Sequence, residues 1–92
     1  MIAQAFEWDD AKAATNLAKH GVPFDCATRV FLDDAVVNFD ASRETDGEAR
    51  RKAVGRIDGR VFTMVYALRG DAIRIISARR ADATERKTYG QV

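Results

Sequence analysis

Lys12, Asn16, Lys19 and His20 stand close together near the start of this sequence, and Arg79 and Arg80 stand side by side near its end. Lys12, Asn16 and Lys19 are spaced i, i+4 and i+7, so on a helix they share one narrow face, with His20 at its edge. Histidine exchanges a proton near neutral pH. Paired guanidinium groups grip phosphate through fork-shaped hydrogen bonds. Arg50, Arg51 and Lys52 form a second run of cations, and Arg74 a further one in the segment that leads to Arg79. Two plainer readings compete with these. A solvated helix face with a capping histidine accounts for the first group, and an ion pair with Glu7 or Glu48 accounts for Arg79.

The charge distribution adds to the case. Residues 1–48 contain four Lys/Arg and ten Asp/Glu, a net of −6, whereas residues 49–92 contain eleven and four, a net of +7. Such asymmetry points to a polyanion-binding surface if the fold keeps the halves apart, and to internal neutralisation if it interleaves them. One His and one Cys cannot make a zinc site, and no carboxylate set resembles a two-metal cluster. No G-x-S-x-G, Walker or G-x-G-x-x-G motif occurs. Neither a metal nor any other cofactor is therefore expected. Cations with a titratable histidine suit one reaction above others, the cleavage of RNA by its own 2′-hydroxyl. The substrate supplies the nucleophile, and the protein need supply only proton transfer and positive charge for the phosphorane-like transition state. A binding module would need the same cations without the acid–base pair.

The elements that must position these residues are legible from periodicity and turn signals. "FEW" at 6–8 suits a short strand. Asp9 or Asp10 can cap a helix whose apolar stripe is Ala11, Ala14, Leu17 and Ala18, ended by Gly21. Pro23 can open a second helix at N1, with Phe24, Ala27, Val30 and Phe31 turned inward. Strands are expected over 35–39, 50–57, 60–68 and 72–78, with Asp58-Gly59 as a type I′ hairpin turn and 61–68 as the central strand. Arg69-Gly70-Asp71 reads as a turn rather than an adhesion motif. Asp82 and Glu85 form a capping box for a last helix carrying Tyr89. The result is one α+β domain over residues 1–92: a small antiparallel sheet, two N-terminal helices and a short C-terminal helix, in the order βααββββα. By strand alternation, Arg79 ends the row of Ile73 and Ile75, and the arginine pair should be removable without unfolding the chain. "MIAQAFEWDD" lacks the basic start of a signal peptide, no segment is apolar enough for a membrane span, and the lone Cys26 excludes an intrachain disulfide. A cytoplasmic location follows as the expectation.

"FEWDDAKAATNLAKHGVPFDCATRVF" together with "IRIISARRADATERKTY" resembles the BrnT family of type II toxin–antitoxin systems over nearly the whole chain. The family pattern carries proline after W-D, where this chain has Asp10, a residue equally suited to a first helical turn. The resemblance implies a RelE-like fold and a metal-independent ribonuclease that arrests translation. It also implies neutralisation by a BrnA-like ribbon-helix-helix antitoxin, in an expected 2:2 complex that touches operator DNA only through the antitoxin and represses its own operon. Carried onto this sequence, the catalytic positions are Lys19, His20, Arg79, Arg80 and Tyr89. Lys12, Arg50, Arg51, Lys52 and Arg74 are the expected RNA-binding cations. The alternative is a non-catalytic interaction or co-repressor module of the same fold.

Overall fold

The computed structural model describes residues 5–42 and 47–90. The order is β1 (Ala5–Glu7), α1 (Asp10–His20), α2 (Phe24–Ala27), a 3₁₀ turn (Thr28–Leu32), β2 (Val37–Asp40), β3 (Arg51–Ile57), β4 (Arg60–Arg69), β5 (Ala72–Arg80) and α3 (Ala83–Gly90). The fold is α+β, with the strands arranged β1-β5-β4-β3-β2, so β4 is central as its apolar sequence requires. The four strands from β2 to β5 pair antiparallel. β1 departs from the expected all-antiparallel sheet: it joins β5 in parallel, Phe6 opposite Ile73. A parallel neighbour cannot be reached by a hairpin, and here the crossover consists of nearly the whole intervening chain.

Local chemistry accounts for the boundaries. Asp9 accepts a hydrogen bond from the Lys12 N–H at 3.0 Å, and Gly21 ends α1 with φ 72°. Asp58 and Gly59 both have positive φ, 51° and 84°, as the I′ turn between β3 and β4 demands. The capping box is reciprocal: Glu85 N–H donates to Asp82 and Asp82 N–H to Glu85, at 2.8 and 2.9 Å. Pro23 serves as the N-cap of α2 rather than as its first residue, and the expected second helix loosens into the 3₁₀ turn after one turn. A close approach accompanies that change. Val30 packs on Gly55 of β3, where an added Cβ would lie 2.8 Å from the Val30 carbonyl oxygen.

The core lies between the sheet and the N-terminal helical layer, and includes Phe24, Val30, Ala53, Met64, Tyr66, Ile75 and Ala78. The apolar stripe expected on α1 is not part of it: Ala11, Ala14, Leu17 and Ala18 are all exposed. Instead, α1 turns Asn16 to the sheet, 6% exposed, with Ala13 partly buried beside it. A register shift between β4 and β5 also resets the strand alternation. Tyr66 faces Ile75 and Val65 faces Ser77, so Ile76 is an extra residue. Beyond this bulge, Ala78 and Arg80 share the helical face with Ile75, while Ser77 and Arg79 lie on the face covered by α3. The sequence-based row joining Arg79 to Ile73 and Ile75 is therefore broken at Ile76.

Gly55→Ala should destabilise the protein by about 1–3 kcal/mol, the usual range for overpacking a closed site. Urea denaturation measures this, and an unchanged midpoint would mean that Val30 can move aside.

Candidate functional site

β1 pairs with β5 only as far as Arg74, which leaves the next stretch of the β5 edge without a strand beside it. α1 occupies that position. The Asn16 carboxamide donates to the Ala78 carbonyl at 2.8 Å and accepts from the Ala78 N–H at 3.1 Å, reproducing the two bonds a neighbouring strand would make. Its second N–H reaches the Val22 carbonyl at 3.2 Å, bracing the chain just past the end of α1. A buried backbone pair is thereby satisfied, and the orientation of α1 is set.

With Asn16 turned down, Lys12, Thr15, Lys19 and His20 line an open groove of about 340 Å³ whose opposite wall is Ile76 and Ser77. Among the described residues, no carboxylate lines it. The hydroxyls of Thr15 and Ser77 complete the polar lining, although the Thr15 hydroxyl donates to the Ala11 carbonyl. Two elements of the sequence pattern are thus brought together: the K-H at the end of α1 and the serine before the arginine pair. Ser77 was not singled out by spacing, since it reaches the groove only because the bulge at Ile76 displaces it.

The arginine pair is divided. Arg79, on the α3 face, makes a bidentate bond to Glu85 at 2.7 and 2.8 Å. Glu85 is 3% exposed and also accepts from Lys52 Nζ at 2.9 Å and from the Thr63 hydroxyl at 2.9 Å. Burial alone would raise the Glu85 pKa, but the bonds from Arg79, the Asp82 N–H, Lys52 and Thr63 outweigh it and hold the carboxyl well below the usual range. The partner weighed for Arg79 from sequence was Glu7 or Glu48. Those residues hold Arg74 and Arg69 instead, at 2.8 and 3.2 Å. Arg80 is exposed on the helical face, its guanidinium 6.0 Å from the centre of the Phe62 ring. The two arginines do not act as one fork, and removing both would break the Glu85 cluster.

Other expected site residues lie elsewhere. Arg80 pairs with Phe62, whose β3 partner is Gly55, so Arg51 lies four residues away along β3, roughly 13 Å at ~3.3 Å per residue. Arg50, Arg51 and Lys52 therefore do not extend an Arg80 patch, and Lys52 is spent on Glu85. The Tyr89 hydroxyl donates to Asp33 while Arg56 lies over its ring, so Tyr89 anchors α3 to the end of the 3₁₀ turn. That hydrogen bond raises the Tyr89 pKa and lowers that of Asp33. The ion pairs Glu7–Arg74 and Glu48–Arg69 join acids of the first half to arginines of the second, whereas Arg29–Asp58 runs the other way, so the charge asymmetry is offset only in part.

The described residues form a small α+β fold with a cationic, histidine-bearing groove, and no group of His, Cys, Asp or Glu among them could hold a metal. A family model described as a ribonuclease toxin of type II toxin–antitoxin systems matches residues 8–85. The chain belongs to that family, BrnT. No curated protein matches the sequence. A type II toxin has an antitoxin partner. No helix among the described residues is long and apolar enough to cross a membrane.

The Glu85 cluster generates a pH test. A carboxyl whose folded pKa lies below its unfolded value of about 4.3 contributes stability in full above that value and loses it as pH falls toward the folded pKa. Glu85→Gln should therefore be destabilised at neutral pH. The loss should fall short of the ~3–5 kcal/mol typical of a fully buried pair, because Arg79 and Lys52 are partly solvated. The gap to the wild type should narrow below about pH 4. Urea unfolding at neutral and acidic pH measures both values, and a gap independent of pH would remove Glu85 from the acid response.

Proposed function

We propose that the protein is a metal-independent RNA endonuclease acting in the cytoplasm, and that the groove between α1 and β5 is its reaction site. One observation carries this reading: the groove gathers Lys12, Lys19 and His20 opposite Ser77, with no carboxylate among the described residues that line it to repel a phosphodiester. In the proposed reaction the 2′-oxygen attacks phosphorus as its proton departs, and the P–O5′ bond breaks as O5′ gains a proton. The products are a 2′,3′-cyclic phosphate and a 5′-hydroxyl. His20 carries the imidazole of the groove, the side-chain type most often used in general acid–base catalysis, so proton transfer is assigned to it. Lys12 and Lys19 supply positive charge to the phosphorane-like state. Arg80 binds a flanking phosphate from the helical face. Arg79 and Lys52 act one step removed, by fixing Glu85 and the end of β5, and Tyr89 by anchoring α3. Such cleavage arrests translation by destroying messenger RNA.

The resemblance to the BrnT pattern supports the remaining assignments. These are a ribbon-helix-helix antitoxin of the BrnA kind, a complex of two toxins and two antitoxins, and repression of the operon through the antitoxin's DNA contacts. The competing reading, a non-catalytic co-repressor module, draws on the ion pairs that neutralise Arg69, Arg74 and Arg79.

Incubation with single-stranded RNA in excess EDTA separates the two, since only the nuclease leaves cyclic phosphate ends. His20→Ala should lower the cleavage rate by ~10²–10⁴-fold, with an unfolding midpoint close to that of the wild type. Arg79→Ala should lower stability clearly, whereas Arg80→Ala should lower cleavage and leave stability nearly intact. A His20→Ala protein that cleaves at the wild-type rate would exclude His20 from the chemistry.

A further inference from the structure

Immediately past His20, the chain borders a second hollow, floored by Val22, Ile57 and Phe62 and rimmed by Arg29, Asp58 and Arg60. Its make-up differs from that of the groove. The floor is apolar and includes an aromatic ring that is only partly buried. Arg80 hangs over that ring, and neither Arg60 nor Arg80 forms an ion pair within the described residues. Arg29 and the rim carboxylate Asp58 neutralise each other in a bidentate bond at 2.9 and 3.2 Å, which leaves Arg60 uncompensated at the rim and Arg80 uncompensated above Phe62. An apolar, partly aromatic floor under unpaired cations fits a flat, weakly polar ring attached to an anion. A nucleotide has that chemistry: the base lies against Phe62 and its phosphate meets Arg60 or Arg80. Proteins that hold single-stranded RNA commonly bind its bases through such aromatic contacts.

We infer that the hollow between Val22, Ile57 and Phe62 is a base-binding subsite, which seats one nucleotide next to the phosphodiester lying in the His20 groove. The inference rests on the ribonuclease reading for the word "next", but the hollow itself can be tested without catalysis. The division of the arginine pair gains a purpose from it. The bulge at Ile76 turns Arg80 toward the helical face, where it stands over the Phe62 ring of the hollow, while Arg79 is kept for the scaffold. The subsite would also set which base flanks the scissile bond, because a shaped apolar floor discriminates between purine and pyrimidine by fit.

Cys26 supplies a direct probe, since it lines the hollow, is exposed and is the chain's sole cysteine. Alkylation of Cys26 by iodoacetamide is followed with and without each of the four ribonucleoside 3′-monophosphates, with inorganic phosphate as control. At least one nucleotide should slow the wild-type reaction several-fold, and phosphate alone should not. Arg80→Glu and Phe62→Leu should each abolish this protection; circular dichroism checks that both are folded. In parallel, Phe62→Leu should shift the distribution of cleavage positions on a mixed-sequence RNA. Absence of protection by every nucleotide, or equal protection by phosphate alone, would overturn the subsite. Protection by a nucleotide in a wild-type protein that cleaves no RNA would leave the subsite standing and overturn the ribonuclease reading instead.

Discussion

The carboxamide of Asn16 is the contact on which the working part of the molecule depends. It pairs with the backbone of Ala78 across 62 positions of sequence, on a stretch of strand edge that β1 is too short to cover. An aliphatic residue there would bury an unsatisfied N–H and C=O, and a carboxylate would present acceptors to a carbonyl. Only a side chain that both donates and accepts can finish the edge. Because it does so, α1 has one rotational setting, and Lys12, Lys19 and His20 come to rest along the groove beside Ser77 instead of pointing into bulk water.

The same contact explains where the sequence was misleading. Helical periodicity assigns the buried stripe to Ala11, Ala14, Leu17 and Ala18, since it ranks positions by apolarity. In the structure, a hydrogen-bonding requirement outweighs that preference: alanines lose little by exposure, whereas the uncovered backbone of Ala78 needs a partner. Strands and turns were more legible, because Asp58-Gly59, the apolar run of β4 and the Asp82/Glu85 box are each local signals with one physical meaning. The parallel docking of β1 and the bulge at Ile76 have no such local signature. Both arise from pairings between distant segments. The bulge was the costlier omission for the site, as it exchanges the faces assigned to the final residues of β5.

Electrostatically, the protein separates two uses of arginine. Arg69, Arg74 and Arg79 are joined to carboxylates and hold strands or helices in place. Arg60 and Arg80 keep their charge available at the surface. Glu85 is central to this division. As a buried anion it gathers Arg79, Lys52 and Thr63 on the α3 face, and so holds two cations of that face in a structural role. Net charge is a poor guide to such a surface, and spacing alone could not distinguish two neighbours with opposite duties.

The long span between the groove's two walls bears on how the protein is made. Lys12 to His20 are synthesised early, but their counterparts at Ile76 and Ser77, and the Ala78 backbone that fixes them, follow some sixty residues later. While the chain is being translated, α1 has nothing to dock on, and closure must wait for one of the most sequence-distant contacts in the molecule, the kind that forms slowly. The groove therefore stays incomplete until β5, the last strand, has emerged. Fold topology thus acts as a timing device, delaying assembly of the groove until translation of its own message is nearly complete.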